Sequence, residues 1–360
     1  MADARPGTPR PASAAARSSV RPAQALAALA GVERGSRALR DLPPVAAGWL
    51  RRGRLLVRAD RDPDAIGIEL AGDAWTPARG LPALAADAVV LSSHPGARLA
   101  CRAFYLESGV TVALQGAGLR PSRLLAGSRV AARFEASEIL LVPHQLERGR
   151  RLLHAWIIEE RLLGTRATRA TWPDLVDRVI DGVVSLWRSG ARPRPRPVRD
   201  VVSWVAPSRV RALLEEMSLT PSAPGPLETA VARLADGRHR LLVGWTHGDP
   251  VPNNVLRMDG GRLALVDWER GGWNPLGLDA CRLLAALDDP GPAISHLEQR
   301  FGSLRRGGAL SMREQAAIAL IGLLPTWAGQ QRDWHDAGRQ AGYRVRNRRR
   351  LRLLEALLEV

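Results

Sequence analysis

The most informative stretch of the chain is His247-Gly248-Asp249-Pro250-Val251-Pro252-Asn253-Asn254, which is followed thirteen residues later by Asp267-Trp268-Glu269 at the end of an apolar run. Carboxylate and amide oxygens are the ligands that Mg²⁺ prefers in proteins. Asn254 and Asp267 are therefore candidate metal ligands. Asp249, five residues before Asn254, can face a second molecule from the same tight loop.

A short hairpin links the two halves of this pattern. Asp259-Gly260-Gly261 has the composition of a turn, and the mainly apolar residues 262–266 predict a strand that ends at Asp267. Downstream, Leu278-Asp279-Ala280 opens an apolar helix. A Gly-Asp pair alone is equally typical of a surface loop, so the inference depends on the ordered series of loop, turn, strand and helix.

The series H-G-D-x-x-P-x-N, turn, strand, D-W-E and L-D-A resembles that of the aminoglycoside phosphotransferase and choline kinase family. The resemblance implies an α+β, bilobal protein-kinase-like fold, with a small β-rich amino-terminal lobe and a larger, mainly helical carboxy-terminal lobe. It also implies that Asp249 is the catalytic aspartate, that Asn254 and Asp267 bind metal, and that His247 and Asp279 brace the loop.

The activity implied by the resemblance is transfer of a phosphoryl group from ATP (or GTP), with Mg²⁺, to a hydroxyl of a small molecule. Kinases of this fold normally carry a strand lysine that grips the donor phosphates. None of the 52 Lys+Arg residues of this chain is a lysine. The missing lysine leaves an alternative open, a nucleotide-binding pseudokinase with a regulatory or scaffolding role.

Three segments predict the strands of the small lobe: Ala88–Leu91, 99–106 and 110–115. The third ends in V-A-L-Q, which resembles the kinase V-A-I-K run with glutamine at the lysine position. Gln115 is therefore the predicted neutral donor to the phosphates. Residues 92–96 take the position of a phosphate-covering loop, although repeated glycines are absent and a plain hairpin turn is an equal alternative.

A helical pattern over residues 122–141 carries Glu135 and Glu138, where a kinase glutamate would hold the strand lysine. Without that lysine, either acid can pair with an arginine such as Arg102 or Arg98. A glutamate on the surface of the helix is the alternative.

Residues 155–164 predict the strand and linker that join the lobes. The resemblance implies that backbone groups near Glu159, Glu160 and Leu162 bind the nucleotide base. The alternative is a buried strand that ends in a charged turn. Backbone recognition leaves little trace in side chains, so these residues do not distinguish ATP from GTP.

The predicted organisation has four parts. Residues 1–40 contain seven arginines and two acids among Ala, Pro and Ser, which predicts a disordered basic arm. Residues 41–84 form an extension without an assigned counterpart. Residues 85–160 are the predicted amino-terminal lobe, and residues 161–360 are the predicted carboxy-terminal lobe, with the catalytic loop and a helical acceptor subdomain.

Within the carboxy-terminal lobe, apolar residues at helical spacing predict a core helix over 172–187, with Thr171 as its cap. Residues 191–197 alternate Arg with Pro, which predicts a solvated, extended connection or an anion contact.

The formal charge of +16 bears on partners, although a GC-rich coding sequence is sufficient to explain an excess of arginine. Aminoglycosides are polycations and need carboxylates, so such an acceptor is disfavoured. An anionic small molecule suits the arginines of the last helices better, and a solvated basic face is the alternative. These arginines are Arg332, Arg339, Arg344, Arg346, Arg348, Arg349, Arg350 and Arg352. Nucleic acid is not expected, because no aromatic residues interleave with the basic arms.

Cys101 and Cys281 lie far apart in apolar segments, which indicates reduced core thiols. No apolar run is long enough to span a bilayer. The reduced thiols predict a cytoplasmic protein. The 46% of hydrophobic residues is sufficient for a buried core.

Overall fold

The computed structural model describes residues 21–45, 47–63, 74–92, 100–116, 123–135, 137, 139–151, 154–190, 192–201, 206–236, 238–335 and 340–359. These residues form two compact units. The first contains the described residues up to Leu125 together with Gln145–Arg161, and the second contains Ala126–His144 and the described residues from Leu162 onwards. The sequence predicted a single division near residue 160. In the structure the chain also enters the second unit earlier, at Ala126–His144, before it returns to the first unit at Gln145.

In chain order, the first half forms α1 (Arg21–Gly35), β1 (Trp49–Arg52), β2 (Leu55–Arg58), β3 (Thr76–Ala78), β4 (Ala88–Leu91), β5 (Cys101–Tyr105), β6 (Val110–Gly116), α2 (Arg123–Ala131), β7 (Leu140–Leu141), β8 (Gln145–Arg151), β9 (His154–Glu160) and β10 (Thr165–Arg166). The second half continues with α3 (Trp172–Ser189), β11 (Arg194–Pro197), α4 (Val198–Val201), α5 (Pro207–Glu216), α6 (Pro224–Ala235), β12 (Arg240–Thr246), β13 (Val255–Arg257), β14 (Leu263–Leu265), β15 (Gly272–Pro275), α7 (Leu276–Leu284), α8 (Gly291–Phe301), α9 (Met312–His335) and α10 (Gln340–Leu358). The predicted α+β class is confirmed.

The described part of the first unit is built on a sheet of eight strands in the order β3-β1-β2-β4-β5-β6-β9-β8. The predicted small-lobe strands are present as β4, β5 and β6, and β1–β3 extend the same sheet with residues of the unassigned extension. Helix α1 covers one face of the sheet because its apolar side chains Leu26 and Leu29 are fully buried in a cluster with Leu56, Val112 and Ile158.

Helix α1 corrects the prediction of a disordered arm through residue 40. Residues 1–20 lie outside the described residues, whereas Arg21–Gly35 is helical. Its buried Glu33 accepts hydrogen bonds from Tyr105 Oη at 2.9 Å, from Ala85 N at 3.1 Å and from Ala86 N at 3.2 Å. The arginine-rich composition concealed this helix, since its anchors lie more than fifty residues away in the chain.

Helix α2 is shorter than predicted. It ends at Ala131, and the chain then turns, with Phe134 N bonded to the Ala131 carbonyl at 2.8 Å, before β7 begins at Leu140. Phe134 packs against Trp268 with ring centroids 5.7 Å apart. Tertiary burial of Phe134 therefore overrides helical periodicity, and Glu135 lies beyond the helix. Residues 93–96 of the predicted phosphate-covering loop, together with Glu138 and Arg98, lie outside the described residues.

The second unit is mainly helical and contains two small sheets among its described residues, with strand orders β10-β13-β14-β7 and β11-β12-β15. Helix α3 runs through the core, where Trp172 is fully buried and its Nε1 donates to the Leu283 carbonyl at 3.0 Å. Thr171 occupies the predicted cap position, but its side chain makes no capping bond and instead accepts a hydrogen bond from Thr168 N at 3.0 Å.

The Arg-Pro segment is extended and its arginines are exposed, as predicted, but it pairs in a sheet and is not a free connection. Arg194–Pro197 forms β11, an edge strand that pairs antiparallel with β12 from Arg194↔Val243 to Pro197↔Arg240. Proline is tolerated at a sheet edge because its missing N–H can face away from the ladder. Within the described residues, no helix is both long enough and apolar enough to cross a membrane.

Candidate active site

The candidate active site lies in the second unit, in the loop between β12 and a 3-10 turn at Pro252–Asn254. Gly248 adopts φ +82°, a conformation that favours glycine. A Cβ added at this position would lie 2.3 Å from the carbonyl oxygen of Arg270. Glycine therefore lets the loop approach the backbone of the segment that follows Asp267.

Asp279 holds the start of this loop from helix α7. Its carboxylate is 1% exposed and accepts hydrogen bonds from His247 N at 2.9 Å and from Gly248 N at 2.6 Å. Burial raises the pKa of Asp279 to about 7, while the two N–H donors act in the opposite direction. The contacts satisfy two backbone donors that would otherwise be buried without partners.

His247 connects the loop to the end of the neighbouring hairpin. The backbone N–H of Asp249 can only donate, so His247 Nδ1 accepts from it at 3.2 Å and Nε2 donates to the Val266 carbonyl at 3.0 Å. The imidazole also contacts Trp268 edge to face, with ring centroids 4.6 Å apart. Burial lowers the pKa of His247 to about 4. His247 is therefore neutral at pH 7, as this hydrogen-bond pattern requires.

The structure brings Asn254 and Asp267 to the same end of two paired strands. Strands β13 and β14 pair Val255 with Leu265, and the ladder continues through Val266 N to the Asn254 carbonyl at 2.9 Å. Asp267 then adopts φ +68°, a left-handed conformation that is costly for most side chains and better tolerated by aspartate.

The donor atoms at this strand end fit Mg²⁺. Asn254 Nδ2 donates to the Asp249 carbonyl at 2.9 Å, which leaves Oδ1 as the oxygen of that amide suited to a metal. Within the described residues, no three His, Cys, Asp or Glu side chains form a metal cage by themselves. Mg²⁺ usually takes one or two protein oxygens and completes its shell with water and substrate phosphates. Asn254 and Asp267 match that pattern.

The carboxylate of Asp249 lies against two arginines that the sequence did not single out. Arg282 Nη1 is 3.5 Å from Asp249 Oδ1, and Arg270 Nε is 3.6 Å from Oδ2. Asp249 Oδ1 is buried and has no hydrogen-bond partner within the described residues. The available signal for Arg282 was its position three residues after Asp279, which places both side chains on one side of α7.

Three predicted nucleotide contacts belong to the first unit. Gln115 lies at the end of β6, and its Oε1 accepts a hydrogen bond from Leu124 N at 3.3 Å. Glu159 is buried in β9 and pairs with Arg102 Nη1 at 3.2 Å, and Glu160 is exposed at the end of that strand.

The other two predicted residues belong to the second unit. Leu162 packs beside a buried cluster that includes Leu256 and Val266. Glu135 pairs with His144 Nδ1 at 3.2 Å. Arg102, considered above as a partner for Glu135 or Glu138, instead contacts a carboxylate of its own unit.

The sequence profile of the Phosphotransferase enzyme family matches residues 129–315, which is more than half of the chain. The chain therefore belongs to this family of phosphotransferases, and the predicted protein-kinase-like fold is confirmed. The match spans the whole loop, hairpin and helix described above.

Solved structures similar to this chain include three kinases of small molecules. An aminoglycoside phosphotransferase from Alicyclobacillus acidocaldarius is 14% identical over 74% of this chain and 91% of its own, with a TM-score of 0.47. A choline kinase from Streptococcus pneumoniae is 15% identical over 76% and 93%, with a TM-score of 0.41. An ethanolamine kinase from Plasmodium vivax is 10% identical over 71% and 77%, with a TM-score of 0.40. No curated protein sequence matches this chain.

Proposed function

We propose that this protein is a Mg²⁺- and ATP-dependent phosphotransferase that acts on a hydroxyl group of a small molecule. The observation that carries the proposal is the carboxylate of Asp249, whose buried Oδ1 has no hydrogen-bond partner within the described residues. An acceptor hydroxyl would supply the missing donor. Because both described cysteines are free and buried thiols, we assign the protein to the cytoplasm, where thiols stay reduced.

In this mechanism Asp249 accepts a hydrogen bond from the acceptor hydroxyl, orients its oxygen and takes its proton. Asn254 and Asp267 would hold Mg²⁺, which supplies charge neutralisation for the donor phosphates. His247 does not relay a proton, since its Nδ1 accepts from Asp249 N and its Nε2 donates to a carbonyl. It holds the backbone of Asp249 in place.

The nucleotide contacts in the proposal are Gln115, Glu159, Glu160 and Leu162. Gln115 replaces the usual lysine as a neutral donor, because its Oε1 already accepts from Leu124 N and its Nε2 can donate to a phosphate oxygen. A neutral donor is weaker than an ammonium group, so we expect a high KM for ATP. Glu135 has no direct part in this scheme.

Thermal unfolding with ATP or GTP, with and without Mg²⁺, tests the donor site, because a ligand bound only by the folded protein raises Tm. We expect a Mg²⁺-dependent rise with ATP that is kept in Asp249→Asn and lost in Asp267→Asn. Asp236→Asn, a change at an exposed carboxylate paired with Arg238, is the matched control.

Turnover tests the assignment of Asp249 separately from binding. Phosphoryl transfer to a panel of hydroxyl compounds should be lost in Asp249→Asn and retained in Asp236→Asn. Turnover that persists in Asp249→Asn would refute the role of Asp249. Nucleotide binding without transfer to any acceptor would favour the pseudokinase alternative, and Gln115→Lys should then restore transfer if the missing lysine is the reason.

A further inference from the structure

Two arginines lie beside the carboxylate of Asp249. Arg282 Nη1 and Arg270 Nε lie 3.5 Å and 3.6 Å from its two carboxylate oxygens. Charge-assisted hydrogen bonds between guanidinium and carboxylate groups are normally about 2.7–2.9 Å long. Both guanidinium groups therefore lie too far from this carboxylate to form a close, bidentate pair with it.

Arg282 is the more deeply placed of the two arginines. Its side chain is 15% exposed, and its Nε is buried without a hydrogen-bond partner within the described residues. Removing a guanidinium from water is unfavourable unless its donors find acceptors. Arg282 thus has unused donors beside the carboxylate that faces the reacting hydroxyl.

The position of Arg282 favours the acceptor over the donor as its ligand. Arg282 extends from α7, whereas Asn254 precedes strand β13 and Asp267 follows strand β14 of the hairpin. Asp249, with Arg282 beside its Oδ1, lies in the loop that precedes that hairpin. A ligand group beside Arg282 would thus approach Asp249 from the helical part of the unit.

We infer that Arg282 binds an anionic group of the acceptor, so that the substrate is a hydroxyl compound that already carries a phosphate or a carboxylate. The inference rests on the phosphotransferase function proposed above. It also explains how an anion can bind next to the carboxylate of Asp249, because the neighbouring arginines offset the repulsion. A cationic acceptor would face these arginines with no comparable compensation.

Four compounds with one carbon scaffold test this inference by binding: glucose, gluconate, glucose 6-phosphate and glucosamine. In the presence of Mg²⁺ and a non-hydrolysable ATP analogue, we expect one or both anions to raise Tm and the neutral and cationic compounds to leave it unchanged. The comparison of gluconate with glucose 6-phosphate distinguishes a carboxylate site from a phosphate site. Equal or stronger stabilisation by glucose or glucosamine, or no stabilisation by either anion, would overturn the inference.

Variants then test the residue. Arg282→Gln should weaken binding of the anionic compound by roughly 10- to 100-fold, the range for losing a hydrogen bond to a charged group, and Arg282→Lys should restore part of it. The matched control is Arg211→Gln, because Arg211 is 58% exposed and pairs with Glu228 elsewhere in the unit. Unchanged anion binding in Arg282→Gln would overturn the assignment.

Steady-state kinetics with the anionic compound that stabilises the protein distinguish an anionic group of the acceptor from the phosphates of the donor. We expect Arg282→Gln to raise the acceptor KM and to leave the KM for ATP unchanged. A rise confined to the KM for ATP would assign Arg282 to the donor phosphates and overturn the inference. If the wild-type protein shows no Mg²⁺-dependent stabilisation by ATP, the proposed function itself fails, which is a different result from a preference for neutral acceptors.

Discussion

Replacing His247 by glutamine should change the pH dependence of stability in a way that follows from its burial. The imidazole is 2% exposed, accepts from Asp249 N through Nδ1 and donates to the Val266 carbonyl through Nε2. Protonation would turn Nδ1 into a donor that faces another donor. The folded state therefore requires the neutral form, and this requirement is lost when glutamine replaces histidine.

The magnitude follows from the pKa of His247, which burial lowers from 6.5 to about 4. Above pH 6.5 the imidazole is neutral in both states. Between pH 6.5 and 4 the unfolded chain binds a proton that the folded protein does not, so stability falls as the pH falls. At about 1.4 kcal/mol for each unit of pKa, the full loss is about 3 kcal/mol.

Urea unfolding of the wild-type protein and of His247→Gln, measured at several pH values between 4 and 7.5, isolates this contribution. At pH 7 glutamine should cost about 1–3 kcal/mol, because it cannot reproduce both hydrogen bonds with the same geometry. The advantage of the wild-type protein should then shrink by about 3 kcal/mol towards pH 4. Groups such as Asp279, whose raised pKa acts with the opposite sign, are present in both proteins and cancel in the difference.

The control is His144→Gln, since the side chain of His144 is 62% exposed. This variant keeps His247, so its stability should fall with pH in parallel with that of the wild-type protein. Parallel stability curves for the wild-type protein and His247→Gln would refute the reasoning. That result would mean that His247 titrates alike in both states and that the loop does not depend on a neutral imidazole.

Three further substitutions test the packing of this loop and of the segment that follows Asp267. Gly248→Ala should destabilise the protein by at least about 2 kcal/mol and abolish phosphoryl transfer. Residue 248 has a positive φ, and an added Cβ would lie 2.3 Å from the Arg270 carbonyl oxygen. Chemical unfolding and an activity assay check these two effects. Gly127→Ala should also destabilise by about 1–3 kcal/mol, although alanine favours helices, because its Cβ would lie 1.8 Å from the Trp268 carbonyl oxygen; a stability gain would contradict the packing. Asp279→Asn should cost about 1–3 kcal/mol in urea unfolding, because an amide N–H would face one of two backbone N–H donors, and an unchanged midpoint would argue against its bracing role.

The hairpin was predictable from local sequence. The turn residues Asp259–Gly261 and the apolar residues after them are contiguous, so their local preferences predict the pairing of β13 with β14 that the structure contains. Strands β4, β5 and β6 were predicted for the same reason. In each case the residues that form the element are neighbours in the sequence.

Elements that depend on distant contacts were missed. Helix α1 is anchored when Glu33 accepts hydrogen bonds from Ala85, Ala86 and Tyr105, none of which its own composition reveals. Strand β11 exists because β12 offers it an edge, so an Arg-Pro segment that is extended by itself becomes part of a sheet. The end of α2 at Ala131 depends on the burial of Phe134 against Trp268.

The sequence by itself determined the family and the set of polar residues around the loop, because Asp249, Asn254 and Asp267 are closely spaced in the chain and their order matches the family pattern. Only the tertiary structure decided which charges surround Asp249. Arg270 and Arg282 reach its carboxylate from separate elements, and no local preference encodes that approach. Electrostatic energy depends on distance in space and on burial, and both are set by how helices and strands pack.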